Sequence, residues 1–282
     1  MAMLSIVTNV QSLNAQRNLN RTSSALSSNF QKLSSGLRIN RAGDDAAGLA
    51  ISEEMKADIR SFRQAERNAN DAISMLQTGE GSLNEVSGIL IRMRELAVQS
   101  STDTVTDTQR GFLDQEFQAL ESEIDRIAAV TEFNGSALLD GTATGLQFQV
   151  GVNNTGDDRI TFDFGDVRST SLGGSGSGGT ISAQAITSQS GAQATIDVLD
   201  AAITDISGLR SDIGATENRL QITVSNLSSA RENISAANSR IRDVDVAEET
   251  AALTRNNILQ QAGVSVLAQA NQAPQLALSL LG

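Results

Sequence analysis

The 282-residue chain contains no cysteine and no histidine. Their absence excludes disulfides, thiol nucleophiles, the common zinc sites and the imidazole group that most often moves protons at neutral pH. Tryptophan and tyrosine are also absent, and eight phenylalanines are the only aromatic residues. Any core must therefore consist mainly of leucine, isoleucine, valine and alanine. This composition favours narrow contacts between helices over a thick globular core.

Lysine is scarce, and the chain is acidic overall. Lys32 and Lys56 are the only lysines among 21 basic residues, against 33 acidic ones, and the formal net charge is −12. Binding of nucleic acid needs clustered basic side chains, so this charge balance argues against a nucleic-acid partner. The other 19 basic residues are arginines, which pair with carboxylates in a planar geometry. Some could join copies of the chain, although scattered solvated ions account for most of them.

Long hydrophobic runs are missing as well. No stretch of about 18 apolar residues is present, which predicts no membrane insertion. Residues 1–10 contain no basic segment followed by an apolar one. The sequence therefore predicts no ordinary cleaved secretory signal.

A seven-residue repeat of apolar side chains runs through two long segments, about 45–100 and about 193–242. This spacing is typical of helices that pair lengthwise, and it predicts an intramolecular seam between the two segments. Gly79 and Gly81 interrupt the first segment without changing the phase of the repeat. The seam positions are Met55, Phe62, Leu76, Leu83 and Leu90 in the first segment and Leu199, Ile206, Ile213, Leu220, Leu227 and Ile234 in the second.

The segments between these helices differ from one another. Apolar residues at alternating four- and three-residue spacing predict a shorter helix over about 109–130. Period-two alternation on both sides of the Asn-, Gly- and Asp-rich residues 153–158 predicts a β-hairpin. Residues 169–190 are rich in serine and glycine, and we expect them to form an exposed loop.

The two ends of the chain carry thin apolar stripes in a polar background. Such a stripe cannot bury itself, so residues 1–43 and 243–282 are predicted to be marginal helices without a partner in their own chain. We expect both ends to be disordered in the free chain and helical after association with further copies. Gly43 separates the first end from the next helix, which Asp44 or Asp45 can cap.

Together the patterns predict a mainly α fold. It is an elongated antiparallel helical bundle or coiled coil built from both chain ends, with a small β-hairpin region in the middle. The predicted division is a terminal helical domain from 1–43 and 243–282, a helical rod with the hairpin from 44–168 and 191–242, and the loop 169–190.

Eight sequence motifs carry a family resemblance, and they span nearly the whole chain except about 166–192. The N-terminal motifs are SLNAQRNL at 12–19, KLSSGLRIN at 32–40 and DDAAGLAI at 44–51. Two further motifs are RELAVQ at 94–99 and TEFNG at 131–135. The C-terminal motifs are ILQQAG at 258–263, VLAQANQ at 266–272 and LSLL at 278–281. With these motifs the chain resembles the bacterial flagellins.

The resemblance implies a structural subunit that self-assembles into the helical flagellar filament used for motility. It implies unfolded export through the flagellar secretion apparatus, an export chaperone, polymerisation at the distal tip with a capping protein, and an extracellular location. Both chain ends would form the inner tube of the filament, with the rod outside it and the loop in place of outer domains. The residues expected to serve polymerisation and chaperone binding are Leu19, Leu26, Leu33, Ile258, Leu259, Val266, Leu267, Leu280 and Leu281.

The resemblance also implies recognition by an animal innate immune receptor, through Arg92, Leu96 and Glu116. Arg92 and Leu96 are four residues apart and therefore adjacent on one helix face. The residues alone favour a plainer interpretation, a solvated face on which Arg92 pairs with Glu95.

Other functions remain as alternatives. A hook–filament junction protein would share the architecture, and a coiled-coil adhesin or translocator would need a membrane-active stretch. Asp44 and Asp45 could in principle do acid–base work, but helix capping explains neighbouring aspartates more simply, and no enzymatic activity or cofactor is predicted. Asn153, Asp157 and Asp158 fit a polar hairpin turn better than a calcium site. Serines and threonines between 169 and 190 are either glycan acceptors or an unmodified linker.

Overall fold

The computed structural model describes residues 8–174 and 179–279, with side chains as far as residue 272. Five α-helices dominate, which confirms the predicted mainly α fold. They are α1 (Val10–Ser35), α2 (Ala46–Ser100), α3 (Asp107–Val130), α4 (Gln189–Arg242) and α5 (Val246–Ser279). The strands are β1 (Glu132–Phe133), β2 (Ser136–Ala137), β3 (Leu146–Gln149) and β4 (Arg159–Phe162), and a 3₁₀ helix covers Ile181–Ala183. The chain divides into two compact units, residues 1–59 with 232–282 and residues 60–231.

The second unit contains the hydrophobic core, and the predicted seam residues of this unit line it. Leu76, Leu83 and Leu90 of α2 are fully buried, as are most of their counterparts on α4. Phe62 is half-buried, and so are Met55 and Ile234 in the first unit. The buried counterparts on α4 are Leu199, Ile206, Ile213, Leu220 and Leu227. Each fully buried side chain of this size contributes roughly 1.5–3 kcal/mol, so the seam contributes strongly to the stability of this unit.

Ion pairs show how α2 and α4 run in the second unit. Arg94 contacts Asp200 at 2.6 Å and Glu80 contacts Arg210 at 3.6 Å. Glu66 contacts Arg231 at 2.6 Å. The numbers fall along α2 as they rise along α4, so the two helices are antiparallel. Exposed pairs of this kind contribute only about 0–1 kcal/mol each, which makes them markers of register more than sources of stability.

Gly79 lies inside α2 because an aromatic ring occupies the space that a side chain would need. A Cβ atom at Gly79 would lie 2.3 Å from Cε1 of the fully buried Phe164, whereas a Cβ at the exposed Gly81 would meet nothing within 4 Å. Phe164 in turn packs edge-on against Phe162, with ring centroids 4.9 Å apart. The first glycine is therefore a packing requirement, and the second is not.

We expect Gly79→Ala to lower the free energy of unfolding by up to about 2 kcal/mol. Overpacking costs ~1–3 kcal/mol, which exceeds the ~1 kcal/mol gained in helix propensity. Gly81→Ala is the matched control and should raise the stability by up to ~1 kcal/mol. Urea unfolding followed by circular dichroism measures both. Equal stability of the two variants would show that Phe164 does not occupy this space.

The hairpin region contains one predicted pair of strands and one that the sequence analysis missed. Strands β3 and β4 pair antiparallel with Leu146 opposite Phe162, which confirms the predicted hairpin. Strands β1 and β2 form a second, two-residue hairpin. Its turn residues Asn134 and Gly135 have φ angles of 51° and 79°, as a tight turn of mirror-image type requires. The Asn-Gly pair was the available signal.

The prediction of an exposed loop over 169–190 is wrong for its apolar residues. Leu172, Ile181 and Ile186 are buried in the core of the second unit, and so is the hydroxyl-bearing Ser169. The helix α4 also begins earlier than predicted, at Gln189. Only a few apolar side chains anchor this segment to the core. Its backbone N–H groups also donate hydrogen bonds to carboxylates of the neighbouring helices, and these bonds help to keep the segment packed.

Carboxylates of α3 accept those amides. Asp125 accepts from the backbone N–H of Ser169 at 2.7 Å and from its hydroxyl at 2.9 Å. Asp114 accepts from the backbone N–H of Ile186 at 2.8 Å. Between them on α3, burial raises the pKa of Glu121, with a further contribution from the nearby Asp125 and Asp114. The segment is thus attached along the length of α3.

In the first unit, α1 and α5 pack against each other. The prediction that the chain ends have no partner in their own chain is therefore wrong, because each end is the partner of the other. Helix α1 stops where Gly36 takes a φ of 70°. Asp45 caps α2 by accepting from the backbone N–H of Gly48 at 2.9 Å, as predicted for one of the two aspartates.

The turns that follow α1 and α4 meet in the first unit. Leu37 and Asp243 form an antiparallel β-bridge. The backbone N–H of Arg38 donates to the carbonyl oxygen of Arg242 at 2.6 Å, and that of Val244 donates to Gly36 at 3.1 Å. Arg242 also pairs with Glu53 of α2. These bonds join parts of the chain that are about two hundred residues apart.

Candidate functional site

Polar side chains make several contacts between α1 and α5. Asn9 donates to the carbonyl oxygen of Ala270 at 2.7 Å, and the Ser12 hydroxyl donates to Asn271 at 2.7 Å. Further along, the buried Asn29 donates to Glu249 and accepts from Asn256, the latter at 2.8 Å. Residues near the start of α1 contact residues far along α5, and residues near the end of α1 contact the start of α5, so the pair is antiparallel.

Gly263 of α5 lies close to the side chain of Leu19 on α1. A Cβ atom at Gly263 would lie 3.3 Å from Cδ1 of Leu19. Leu19, Leu26 and Leu33 of α1 are half-buried, as is Leu267 of α5. Mutual pairing therefore covers only part of the apolar surface of the two helices.

A large apolar surface remains uncovered on the terminal helices. Ile258, Leu259 and Val266 of α5 are each at least half exposed. On α1, Leu26 and the largely exposed Phe30 line an open groove of about 640 Å³. Two predicted positions, Leu280 and Leu281, lie outside the described residues. Exposed apolar side chains grouped in this way are typical of surfaces that bind another protein.

A second candidate surface lies where α2 meets α3. Arg92 donates to Glu95 at 2.9 Å, which is the predicted pairing, and also to Glu116 at 2.8 Å. The bonds to Glu116 and then to Glu95 raise the pKa of the Arg92 guanidinium. All three side chains are about half exposed. They form a rigid charged cluster that a partner can reach.

Leu96 does not share this accessibility. Its side chain is fully buried in the core of the second unit, so a partner cannot touch it while the helices stay packed. Leu96, one turn along α2 from Arg92, therefore supports the charged cluster from the core side of the helix.

Arg110 is a structural residue that the sequence analysis missed. Only 5% of it is exposed, and its guanidinium donates to three backbone carbonyls in the turn between α2 and α3. The acceptors are Ser100 at 2.8 Å, Thr102 at 2.6 Å and Val105 at 2.7 Å. Nothing in the local sequence distinguishes this arginine from the exposed ones.

The carboxylates considered for catalysis or metal binding are engaged in turns. Asp44 accepts from the backbone N–H groups of Arg41 and Asn40, and these bonds lower its pKa. Asp158 accepts from the hydroxyl of Thr155 at 2.7 Å within the hairpin turn. Within 8–174 and 179–279, no group of three or more acidic side chains is placed to hold a metal ion.

Comparisons with known proteins follow the same division of the chain. The bacterial flagellin N-terminal helical region matches residues 6–144, and the flagellin C-terminal helical region matches residues 196–281. A flagellin of Halalkalibacterium halodurans is 49% identical over 273 residues, which cover 97% of this chain and 98% of the relative. The chain belongs to the bacterial flagellin family. A flagellin of Bacillus subtilis is 45% identical, with 97% and 98% of the two chains covered.

More distant relatives are also named as flagellar proteins. A flagellar filament core protein of Treponema phagedenis is 42% identical over 97% of this chain and 98% of its own length. A putative flagellar hook-associated protein from Vibrio parahaemolyticus has the same fold, with a TM-score of 0.58 at 16% identity. The match covers 71% of this chain and all of the hook-associated protein. The fold is thus common to filament and hook-associated proteins, and sequence identity places this chain with the flagellins.

Membership assigns the chain to a structural protein class, the subunits of the bacterial flagellar filament outside the cell. Such subunits act by self-assembly, so the surfaces described above are the functional sites to consider. None of the described helices is long and apolar enough to cross a membrane.

Proposed function

We propose that this flagellin builds the filament through its two ends, without enzymatic activity of its own. The paired helices from 1–43 and 243–282 form the inner tube, and the segments 44–168 and 191–242 form the layer outside it. The loop 169–190 stands in place of outer domains. One observation carries the proposal: the terminal helices pair with each other yet leave Ile258, Leu259, Val266 and Phe30 exposed.

The energetics favour this assignment. Each exposed apolar side chain of this size gains ~1.5–3 kcal/mol when it is fully buried. Burial against identical neighbours repeats along a polymer, so the gain applies to every subunit added. A surface of this kind on a monomer promotes aggregation until it is covered. We therefore propose that an export chaperone shields the C-terminal helix before secretion, and that a capping protein holds arriving subunits at the tip.

Polymerisation of the purified full-length chain tests the central proposal. We expect added ammonium sulfate, which strengthens apolar burial, or short filament seeds to produce long filaments that electron microscopy resolves. A hook-associated protein of the same fold would give short oligomers only. A chain that stays monomeric with seeds and salt would contradict the role of filament subunit.

We also propose that an animal innate immune receptor binds the charged cluster of Arg92, Glu95 and Glu116. Arg92 and Glu116 are the contact residues, since both are accessible and held in fixed positions by their mutual bond. Leu96 contributes by packing beneath them, so we revise its expected role from contact residue to support.

Receptor signalling by the monomeric protein distinguishes these roles. We expect Arg92→Ala to lower potency about 30-fold, because central arginines at interfaces commonly contribute ~2 kcal/mol or more. Arg126→Ala is the control, since it removes a similar exposed pair with Glu123 and should leave potency unchanged. Equal potency of the two variants would exclude the cluster as a receptor site.

A further inference from the structure

Two dipeptides of the chain combine a glycine with a preceding asparagine or aspartate. They are Asn134-Gly135 and Asp140-Gly141, and each kind occurs once in the sequence. In either pair the backbone nitrogen of the glycine can attack the side-chain carbonyl carbon of the preceding residue, which closes a succinimide ring. Glycine favours this attack because it has no side chain to block the approach and restricts the backbone least. The surroundings of each pair therefore decide whether it reacts.

The reacting groups of Asn134-Gly135 are open to solvent. Both residues are exposed in the turn between β1 and β2. Among the residues that the structure describes, neither the side-chain amide of Asn134 nor the backbone N–H of Gly135 has a hydrogen-bond partner. A Cβ atom at Gly135 would meet nothing within 4 Å. The carbon to be attacked and the attacking nitrogen are thus both accessible.

The turn must change its backbone conformation before the ring can close, and few contacts oppose this change. The β1–β2 hairpin has only two residue pairs, Glu132 opposite Ala137 and Phe133 opposite Ser136, and a short two-stranded hairpin is marginally stable by itself. Within 8–174 and 179–279, Asn134 is also the one non-glycine residue with a positive φ, a conformation that is unfavourable for residues with a side chain. Local opening of such a turn costs little free energy.

The neighbouring pair Asp140-Gly141 is protected from the same reaction. The Asp140 carboxylate accepts from the hydroxyl of Thr142 at 2.6 Å and from its backbone N–H at 3.0 Å. These bonds, assisted by the charge of Arg168, lower the pKa of Asp140, and an ionised carboxylate is a poor target for a nucleophile. The backbone of Asp140 also forms a β-bridge with Asp166, which lies so close to Gly141 that a Cβ there would be 3.0 Å from the Asp166 Cβ.

We infer that Asn134 is a site of spontaneous deamidation in the folded protein. A bond forms between the backbone nitrogen of Gly135 and Cγ of Asn134, and the side-chain nitrogen leaves as ammonia with the proton of the Gly135 N–H. Water then opens the ring at either of its carbonyl carbons, which gives aspartate or isoaspartate. The reaction consumes one water and releases one ammonia, without oxidation or reduction. The inference concerns the single chain and does not depend on polymerisation.

Both products alter the hairpin. Aspartate adds a negative charge two residues from the exposed Glu132. Isoaspartate adds a methylene group to the main chain, and a turn of two residues cannot accommodate it while Phe133 stays opposite Ser136. Because Phe133 packs against the core of the second unit, we expect the modified turn to loosen the contacts that follow α3. Ammonia is lost, so the converted fraction rises with the age of the molecule.

Peptide mapping by mass spectrometry tests the inference on the folded full-length chain, kept warm in a mildly alkaline buffer. We expect Asn134 to convert at least about tenfold faster than Asn153 or Asn154, because these are equally exposed but precede residues with side chains that hinder the attack. The variant Asn134→Gln should lose the fast conversion and leave the two slow sites unchanged. Equal rates at Asn134, Asn153 and Asn154 would overturn the inference.

The same measurement in urea determines how far the fold protects each pair. We expect the folded chain to convert Asn134 within about 30-fold of the rate in urea, which corresponds to an opening free energy of no more than about 2 kcal/mol. Isomerisation of Asp140 to isoaspartate should be slow in the folded chain and at least about tenfold faster in urea. Stronger protection of Asn134, or equal protection of the two pairs, would overturn the inference.

Discussion

A chain trimmed to residues 44–242 is expected to stay folded and to form no filaments. The trimmed chain keeps the entire second unit, whose core consists of residues 69–220. It loses α1 and α5 and with them the exposed apolar surface of Ile258, Leu259 and Val266. Light scattering and electron microscopy, under conditions in which the full chain polymerises, measure the loss. Thermal unfolding followed by circular dichroism shows that the remaining fold persists.

Removal of one end alone makes a sharper control. Without residues 1–43, α5 loses its hydrogen-bonding partners Asn9, Ser12 and Asn29. Isolated helices with so weak an apolar stripe are marginal in water, so we expect this variant to be as inactive in polymerisation as the doubly trimmed one. Filament growth by either variant would show that assembly depends on other surfaces.

We expect Arg110→Ala to lower the free energy of unfolding by about 3 kcal/mol or more. The guanidinium occupies a buried position and donates to the carbonyls of Ser100, Thr102 and Val105. The bond to Ser100 is buried and the other two are partly buried. A buried acceptor left without a donor costs roughly 1–3 kcal/mol, and the loss of the other two bonds and of the packed side chain adds to this. Because the turn at 101–106 ends α2 and begins α3, its loss should also disturb the position of Glu116 relative to Arg92.

Two variants control this prediction. Arg110→Lys keeps the charge but cannot reach all three carbonyls with the geometry of a guanidinium, so its stability should be intermediate. Arg126→Ala removes an arginine from the same helix whose side chain is 59% exposed, and it should cost less than about 1 kcal/mol. Urea unfolding of the three proteins gives the comparison. If Arg110→Ala and Arg126→Ala are equally stable, the three backbone carbonyls that Arg110 contacts must be hydrogen-bonded to water in the variant, and the prediction is wrong.

Features with a regular period in the sequence were predictable. The seven-residue repeat located the seam because a residue such as Leu83 or Leu220 returns to the same helix face after two turns. The alternation of apolar and polar residues located β3 and β4, because side chains two residues apart in a strand lie on the same face. Asp45 was predictable as a cap because its role depends only on the three residues that follow it.

Features that depend on tertiary neighbours were not predictable. Arg110 looks like any other arginine until the turn folds around it, and Leu96 looks accessible until it is buried in the core of the second unit. The segment 169–190 is held by Asp114 and Asp125, whose positions on α3 the sequence does not relate to it. The sequence analysis placed 1–43 and 243–282 in one domain but did not predict that α1 and α5 pair directly. Polar residues such as Asn29 make part of that contact, and apolar periodicity does not report them.

The bridge between Leu37 and Asp243 has a consequence for synthesis of the protein. A ribosome releases the first of these residues long before the second, so the bridge cannot form until residue 243 has been synthesised. Closing a loop of about 200 residues costs roughly 5 kcal/mol of chain entropy, although prior folding of the second unit shortens the free loop. A polypeptide that stops anywhere before residue 243 lacks this bridge entirely. Completion of the first unit therefore requires the residues from 243 onward, and a product that stops before them is left with an unpaired α1.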